Sequence, residues 1–217
     1  MTRWVAALVL TTAVGAGFPG APKLGTSEGG SGRLIAAQTG NPQIAVLSPT
    51  RDVLADAFDG QPLPRPHSLT VDRRAGIYFS DPHGVLYIRP DGDVTRVAVD
   101  IESLAGMVLS PDEKTLYVAN GAGESLLAFD VGADGSLSGR RDFARMTNAA
   151  GLTVDSAGRV YVAAGGGVEV ISPEGHPLGT IPIDGAHALA FGGRDRRSLF
   201  AIGRNAAWKI AMQSQGK

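Results

Sequence analysis

Three histidines stand at the ends of strand-like segments, where a protein built of short sheets can expose chemistry. His67 and Ser68 precede an apolar strand in "PRPHSLTVDRRAGIYFSDPHG", Asp81 and His83 follow the next strand of that stretch, and His187 opens "HALAFGG". Imidazole titrates near neutrality and ligates transition metals, so His67 with His187 could hold an ion such as zinc. His67 alone could act as a general base. The plainer reading is that each histidine hydrogen-bonds locally at a channel mouth. No His-x-x-x-His spacing favours the metal. Asp81 could touch a ligand, or close an Asx turn toward Gly84, and the turn is preferred. Asn148 reads as a loop residue close enough to a strand start to enter the same site. Ser68 and His83 complete this set of ligand-binding candidates.

Composition narrows the classes. The chain has 217 residues, with 43% hydrophobic and 19% charged, which suits one folded domain. A formal net charge of −1 gives no electrostatic reason to expect nucleic acid. The absence of cysteine excludes disulfides, thiolate metal sites, a cysteine nucleophile and a lipoprotein anchor. Neither a Gly-x-Ser-x-Gly elbow nor a phosphate loop occurs; "AAGGGVEV" follows no strand-to-helix pattern. The start, "MTRWVAALVLTTAVGAGFPGAP", has a cation, an apolar run and small residues, the anatomy of a secretory signal peptide over residues 1–21. That predicts a secreted or periplasmic protein with no membrane span in its mature form. Residues 22–32 read as a flexible link around "SEGGSG", residues 33–212 as the folded domain and residues 213–217 as a tail.

The elements that must position the histidines recur. "HSLTVDRRAGIYFSDP", "AGMVLSPDEKTLYVANG", "AGLTVDSAGRVYVAAGG" and "HALAFGGRDRRSLFAIG" are each a strand, a polar turn and a second strand. A period of about 40 residues fits one four-stranded propeller blade. Third strands follow in "GVLYIRPDG", "ESLLAFDVGADG" and "GVEVISPEG", and fourth strands in "VTRVAVD", "RRDFARM" and "PLGTIPI". An upstream unit, "GRLIAAQTGNPQIAVLSPTRDVLAD", supplies second, third and fourth strands with no recognisable first; "AAWKIAM" is a third strand with no fourth. The fold class is all-β, a propeller of about five blade units. Asp72, Asp112 and Asp155 fall in the turns after inner strands and read as turn formers.

From residue 31 to about 212 the chain resembles the senescence-marker-protein, gluconolactonase and luciferin-regenerating family. The likeness rests on "GRLIAAQTGN", "VLADAFDGQPLPRPHSLTVDRRAGIYFSDP", "GMVLSPDEKTLYVAN", "AGLTVDSAGRVYVAAGGGVEVISPEG" and "HALAFGGRDRRSLF". The resemblance implies a six-bladed propeller and hydrolysis of sugar lactones. It also implies an axial divalent metal, often calcium, held by a Glu, an Asn and an Asp. The metal would polarise the lactone carbonyl and the Asp would activate water.

The chain departs from the family at these positions. Where the family has Pro-Asn-Gly it has Leu104-Ala105-Gly106, and where the family has Pro-Asp-Gly it has Ala149-Ala150-Gly151. A Pro-Asn-Asp becomes Pro66-His67-Ser68, and an Asn of the last unit becomes Ala188, preceded by His187. The first-blade Glu has no counterpart, Glu28 lying in the link. Alanine offers no oxygen to a cation. The expectation is a degenerate propeller without a metal cofactor, binding a small carbohydrate or lactone, or without catalysis. An active lactonase with a rebuilt histidine site and a protein-interaction propeller remain the alternatives.

Overall fold

The computed structural model describes residues 7–9, 24–29, 33–101 and 103–217. Among them there are strands and turns but no helix. The first sheet has the order β1 (Ala7–Val9), β2 (Leu24–Gly29), β3 (Arg33–Gln38), β4 (Gln43–Ser48) and β5 (Asp52–Ala55). A small hairpin, β6 (Ala57–Phe58) and β7 (Gln61–Pro62), leads out of it, turning at Asp59 and Gly60, both at positive φ. The second sheet is β8 (Leu69–Val71), β9 (Ile77–Asp81), β10 (Gly84–Ile88) and β11 (Val94–Ala98). The third is β12 (Leu104–Leu109), β13 (Thr115–Asn120), β14 (Ser125–Val131) and β15 (Leu137–Arg145). The fourth is β16 (Leu152–Val154), β17 (Val160–Ala164), β18 (Gly167–Ile171) and β19 (Pro177–Ile181). The fifth ends after three strands, β20 (Ala186–Gly192), β21 (Ser198–Gly203) and β22 (Ala207–Ala211). All named pairings are antiparallel.

This is a five-blade propeller, with the five second-to-third-strand hairpins and four outer strands that the repeat predicts. The N-terminal segments differ from expectation. The segment read as a flexible link contributes β2, which pairs with β3 from Leu24↔Gln38 to Gly29↔Arg33 and so supplies the inner strand of blade 1. A Gly- and Ser-rich strand has little propensity of its own; β3 presents the edge it adds to. Ala7–Val9, inside the expected signal peptide, pairs with β2 from the other side. The rest of that peptide, with its cleavage site, lies outside the described residues.

The core lies between blades. In β9, Ile77 and Phe79 pack toward blade 1 with Ile35 and Ile44, while Tyr78 packs toward blade 3 with Met107 and Val118. Strand alternation thus feeds two interblade layers, which is why the middle strands read as unbroken apolar runs. Tyr117, Leu126 and Leu152 join blades 3 and 4. Tyr161, Leu189 and Phe191 join blades 4 and 5.

Carboxylates pin the turns after the inner strands. Asp72 Oδ1 accepts from the amides of Arg74 and Gly76, both at 2.8 Å, and its Oδ2 from the Tyr87 hydroxyl at 2.7 Å. Asp155 does the same for Ala157 and Arg159, and also takes the Arg159 Nε at 2.7 Å. Asp112 accepts from the Ser110 hydroxyl at 2.7 Å. Their role as turn formers is direct. Residues 213–217, expected as a tail, form a strap across the ends of blades 5, 4 and 3. The Gly216 amide donates to Arg196 O, Ser156 N to Gln215 O, and Lys217 N to Val154 O. Lys217 Nζ reaches Leu109 O at 3.3 Å and Glu113 Oε1 at 3.2 Å.

Candidate functional site

The strap marks the lower end of the inner strands; the upper end is where they begin and where the singled-out residues gather. In blade 2 the His67 amide donates to Ser80 O at 3.0 Å while Ser80 N donates to Ser68 O at 2.9 Å. One residue of β9 therefore faces two consecutive residues, a β-bulge. Blade 4 repeats it: Ala150 N to Ala163 O and Ala163 N to Gly151 O, both 2.9 Å. In blade 3 the register skips Ala105, and in blade 5 it skips His187. His67, Ala105, Ala150 and His187 are therefore equivalent first residues of the bulge. Ser68, Gly106, Gly151 and Ala188 are the equivalent second residues.

Burial separates the two sets. All four first residues are partly exposed and all four second residues are buried. The second residue faces the next blade: a Cβ on Gly106 would stand 2.7 Å from Ala150 O, and one on Gly151 would stand 2.7 Å from His187 O. Real Cβ atoms do not approach oxygen so closely, so glycine is required at both. The bulge also diverts the second amide. Gly151 N donates across the blade boundary to His187 O at 2.9 Å, and Ser68 N turns to Ser80 Oγ at 2.9 Å. Sequence reasoning missed Ser80. A serine at the strand position opposite the bulge was the available signal, hidden because the bulge itself leaves no period in the sequence.

The register also separates two neighbours in blade 5. Ala188, read as the counterpart of a family Asn, is fully buried among the second residues, and His187 holds the place level with Ala105 and Ala150. Among the described residues, the first bulge positions of blades 2 to 5 thus carry two imidazoles and two methyl groups. Among the described residues no three His, Asp or Glu side chains converge on one point. Tested against an axial calcium, these four positions do not fit: methyl groups have no lone pair and imidazole is a poor partner for a hard cation. Glu28 sits opposite Leu34, toward the lower end of β2, while the upper end of that strand is Leu24, opposite Gln38.

The remaining candidates share this face without joining the rim. Asp81 ends β9 beside the strand start at His67, but its carboxylate is engaged. Arg96 holds it through two bonds of 2.9 and 2.8 Å, and the His83 amide donates to Oδ1 at 2.8 Å. Burial alone would raise the Asp81 pKa; the Arg96 and His83 hydrogen bonds hold it below the ordinary carboxylate value. The Arg96 guanidinium lies 5.1 Å from the Phe58 ring centre. Asp81 is therefore the Asx-turn residue the sequence favoured, closing on His83, with an ion pair the sequence did not reveal. His83 is exposed on that turn. Asn148 is exposed at φ 55° in the loop between β15 and β16.

His67 differs from all of these. Its Nδ1 is buried with no hydrogen-bond partner, and so is the Oγ of Ser68. Burial, and then the Arg65 cation, lowers the His67 pKa from its ordinary value.

Residues 25–202 match the family described as the SMP-30/Gluconolactonase/LRE-like region. A gluconolactonase from Zymomonas mobilis is 26% identical over 189 residues, covering 72% of this chain and 53% of the relative. A lactonohydrolase from Aspergillus oryzae is 29% identical over 171 residues, covering 66% of this chain and 35% of the relative. The chain thus spans about half and about a third of these relatives' lengths. The solved structure of a gluconolactonase from Xanthomonas campestris superposes with a TM-score of 0.80 at 29% identity, covering 88% of this chain and 72% of that one.

Proposed function

The chain belongs to the SMP-30/gluconolactonase/LRE-like family, and from that premise we propose that it is a lactonase-type propeller that binds a small carbohydrate or lactone at its upper rim without a divalent ion held there. One observation carries this reading. The rim positions that the family resemblance assigns to an Asn and an Asp ligand hold Ala105 and Ala150, flanked by His67 and His187. Without a Lewis acid or a carboxylate at the rim, neither carbonyl polarisation by metal nor water activation by Asp is supplied there. Binding is less demanding. Imidazoles can hydrogen-bond sugar oxygens, and the Ala105 and Ala150 methyls can pack on the apolar C–H face of a pyranose-sized ring.

The test is D-glucono-1,5-lactone hydrolysis by the purified chain with calcium and with chelator. The two rates should be equal. Calcium should gain an effect only after Ala105→Asn is combined with Ala150→Asp. Calcium-stimulated hydrolysis by the unaltered chain would refute the reading, as would failure of the lactone to perturb the rim histidines in NMR spectra.

A further inference from the structure

We propose that His67 is held as the neutral Nε2–H tautomer and donates that hydrogen to an acceptor oxygen of a ligand seated across the rim toward His187. This deepens the function proposed above and rests on it. The first support is the orphaned Nδ1. It is shut away from solvent and has no partner, whereas the residue as a whole is partly exposed. A proton on Nδ1 would be a buried N–H with nothing to bond, and imidazolium would carry the same defect plus a desolvated charge. An unpaired lone pair is the smaller penalty, so the proton belongs on Nε2. The lowered pKa agrees. Arg65, the one charged residue that shifts His67, acts in the same direction.

The second support is the ring. Among the described residues, six strands surround the axis beside five blades: β2, β8, β12, β16 and β20 each pack on the next, and β1 closes the circuit between β20 and β2. His67 at the head of β8 and His187 in β20 are three places apart in either direction, so they face each other across the axis. Opposite places in a hexagon stand two neighbour spacings apart, at least roughly 10 Å between backbones for strands spaced like hydrogen-bonded neighbours. Ala105 and Ala150 occupy the two places between them on one side of the axis, so a ligand resting on the channel mouth meets all four residues. A carbonyl or ring oxygen answers a fixed donor, which a lactone provides.

The test reads the tautomer and the ligand separately. Imidazole ¹⁵N spectra of the full chain, assigned with His67→Gln, should show His67 protonated at Nε2 only from pH 6 to 8. Protonation at Nδ1, or imidazolium at pH 7, would overturn the inference whatever the ligand does. D-glucono-1,5-lactone should then shift the His67 signals, with D-glucose as the ester-free control. His67→Ala should weaken lactone binding about tenfold, the loss of one good hydrogen bond. His67→Gln, which keeps an N–H near the same place, should recover most of it. Equal weakening by Ala and Gln would overturn the donor role. No lactone shift beside a confirmed Nε2–H tautomer would overturn the ligand reading and the donor role together, leaving the tautomer argument intact.

Discussion

Adjacent residues 150 and 151 should respond very unequally to a single added group. In Gly151→Ala the new Cβ would stand 2.7 Å from His187 O and 2.8 Å from Ala188 Cα, both backbone atoms that cannot rotate aside. Blade 5 must shift relative to blade 4, at the price typical of overpacking, about 1–3 kcal/mol. The same shift lengthens the 2.9 Å bond from Gly151 N to His187 O, adding about 1 kcal/mol. The sum is roughly 2–4 kcal/mol, or a fall in Tm on the order of 5–15 °C for a chain of this size. Ala150→Ser enlarges the neighbouring side chain by one atom at the partly open rim, and should stay within about 0.5 kcal/mol. Urea unfolding followed by tryptophan fluorescence measures both. Equal costs for the two variants would refute the division of the bulge into a rim residue and a wall residue.

Asp81→Asn strands the Arg96 cation, whose side chain is only 20% exposed, and should cost about 3 kcal/mol at pH 7. Because the folded carboxyl titrates below its ordinary value of 3.8, its contribution is fully present above about pH 4 and is lost as pH falls through the folded pKa; the variant's acid unfolding curve should lack that component. Deleting residues 213–217 removes the three strap backbone hydrogen bonds to Arg196, Ser156 and Val154 together with the Lys217 contacts to Leu109 and Glu113; the three backbone bonds alone, at about 1 kcal/mol each, should lower Tm by roughly 6–12 °C. Amide exchange should accelerate first at Ser156, whose N–H donates to Gln215 O, and unchanged protection there would show that the strap ties nothing.

The blades were legible because their strands are buried on both faces and their turns carry fixed chemistry. Runs such as Ile77-Tyr78-Phe79 and the turns at Asp72 and Asp155 announce themselves locally. β2 did not, because its residues Leu24–Gly29 owe their strand to the edge of β3 rather than to their own types. β1 was hidden differently: an apolar run suits a signal peptide and an inner strand equally. At the site, the sequence singled out His67 and His187 but gave no sign that His187 stands level with Ala105 and Ala150 while Ala188 is buried beside it. The extra residue of a bulge shifts every partner after it, and only hydrogen bonds reveal where that happens. Asp81 was rightly read as a turn former, yet Arg96, fifteen residues away, became its partner only through the β10–β11 pairing.

The paired residues of the bulge also bear on how such a rim can change over time. The wall residue is policed by the neighbouring blade: at Gly106 and Gly151 any side chain collides with backbone, so replacement there endangers the whole ring. The rim residue next to it meets little but the opening. A lineage can therefore exchange an amide, a carboxylate, a methyl or an imidazole at positions 67, 105, 150 and 187 while the scaffold stays folded. An inherited reaction can be abandoned, and a different recognition tried, through substitutions that natural selection for foldability would scarcely notice.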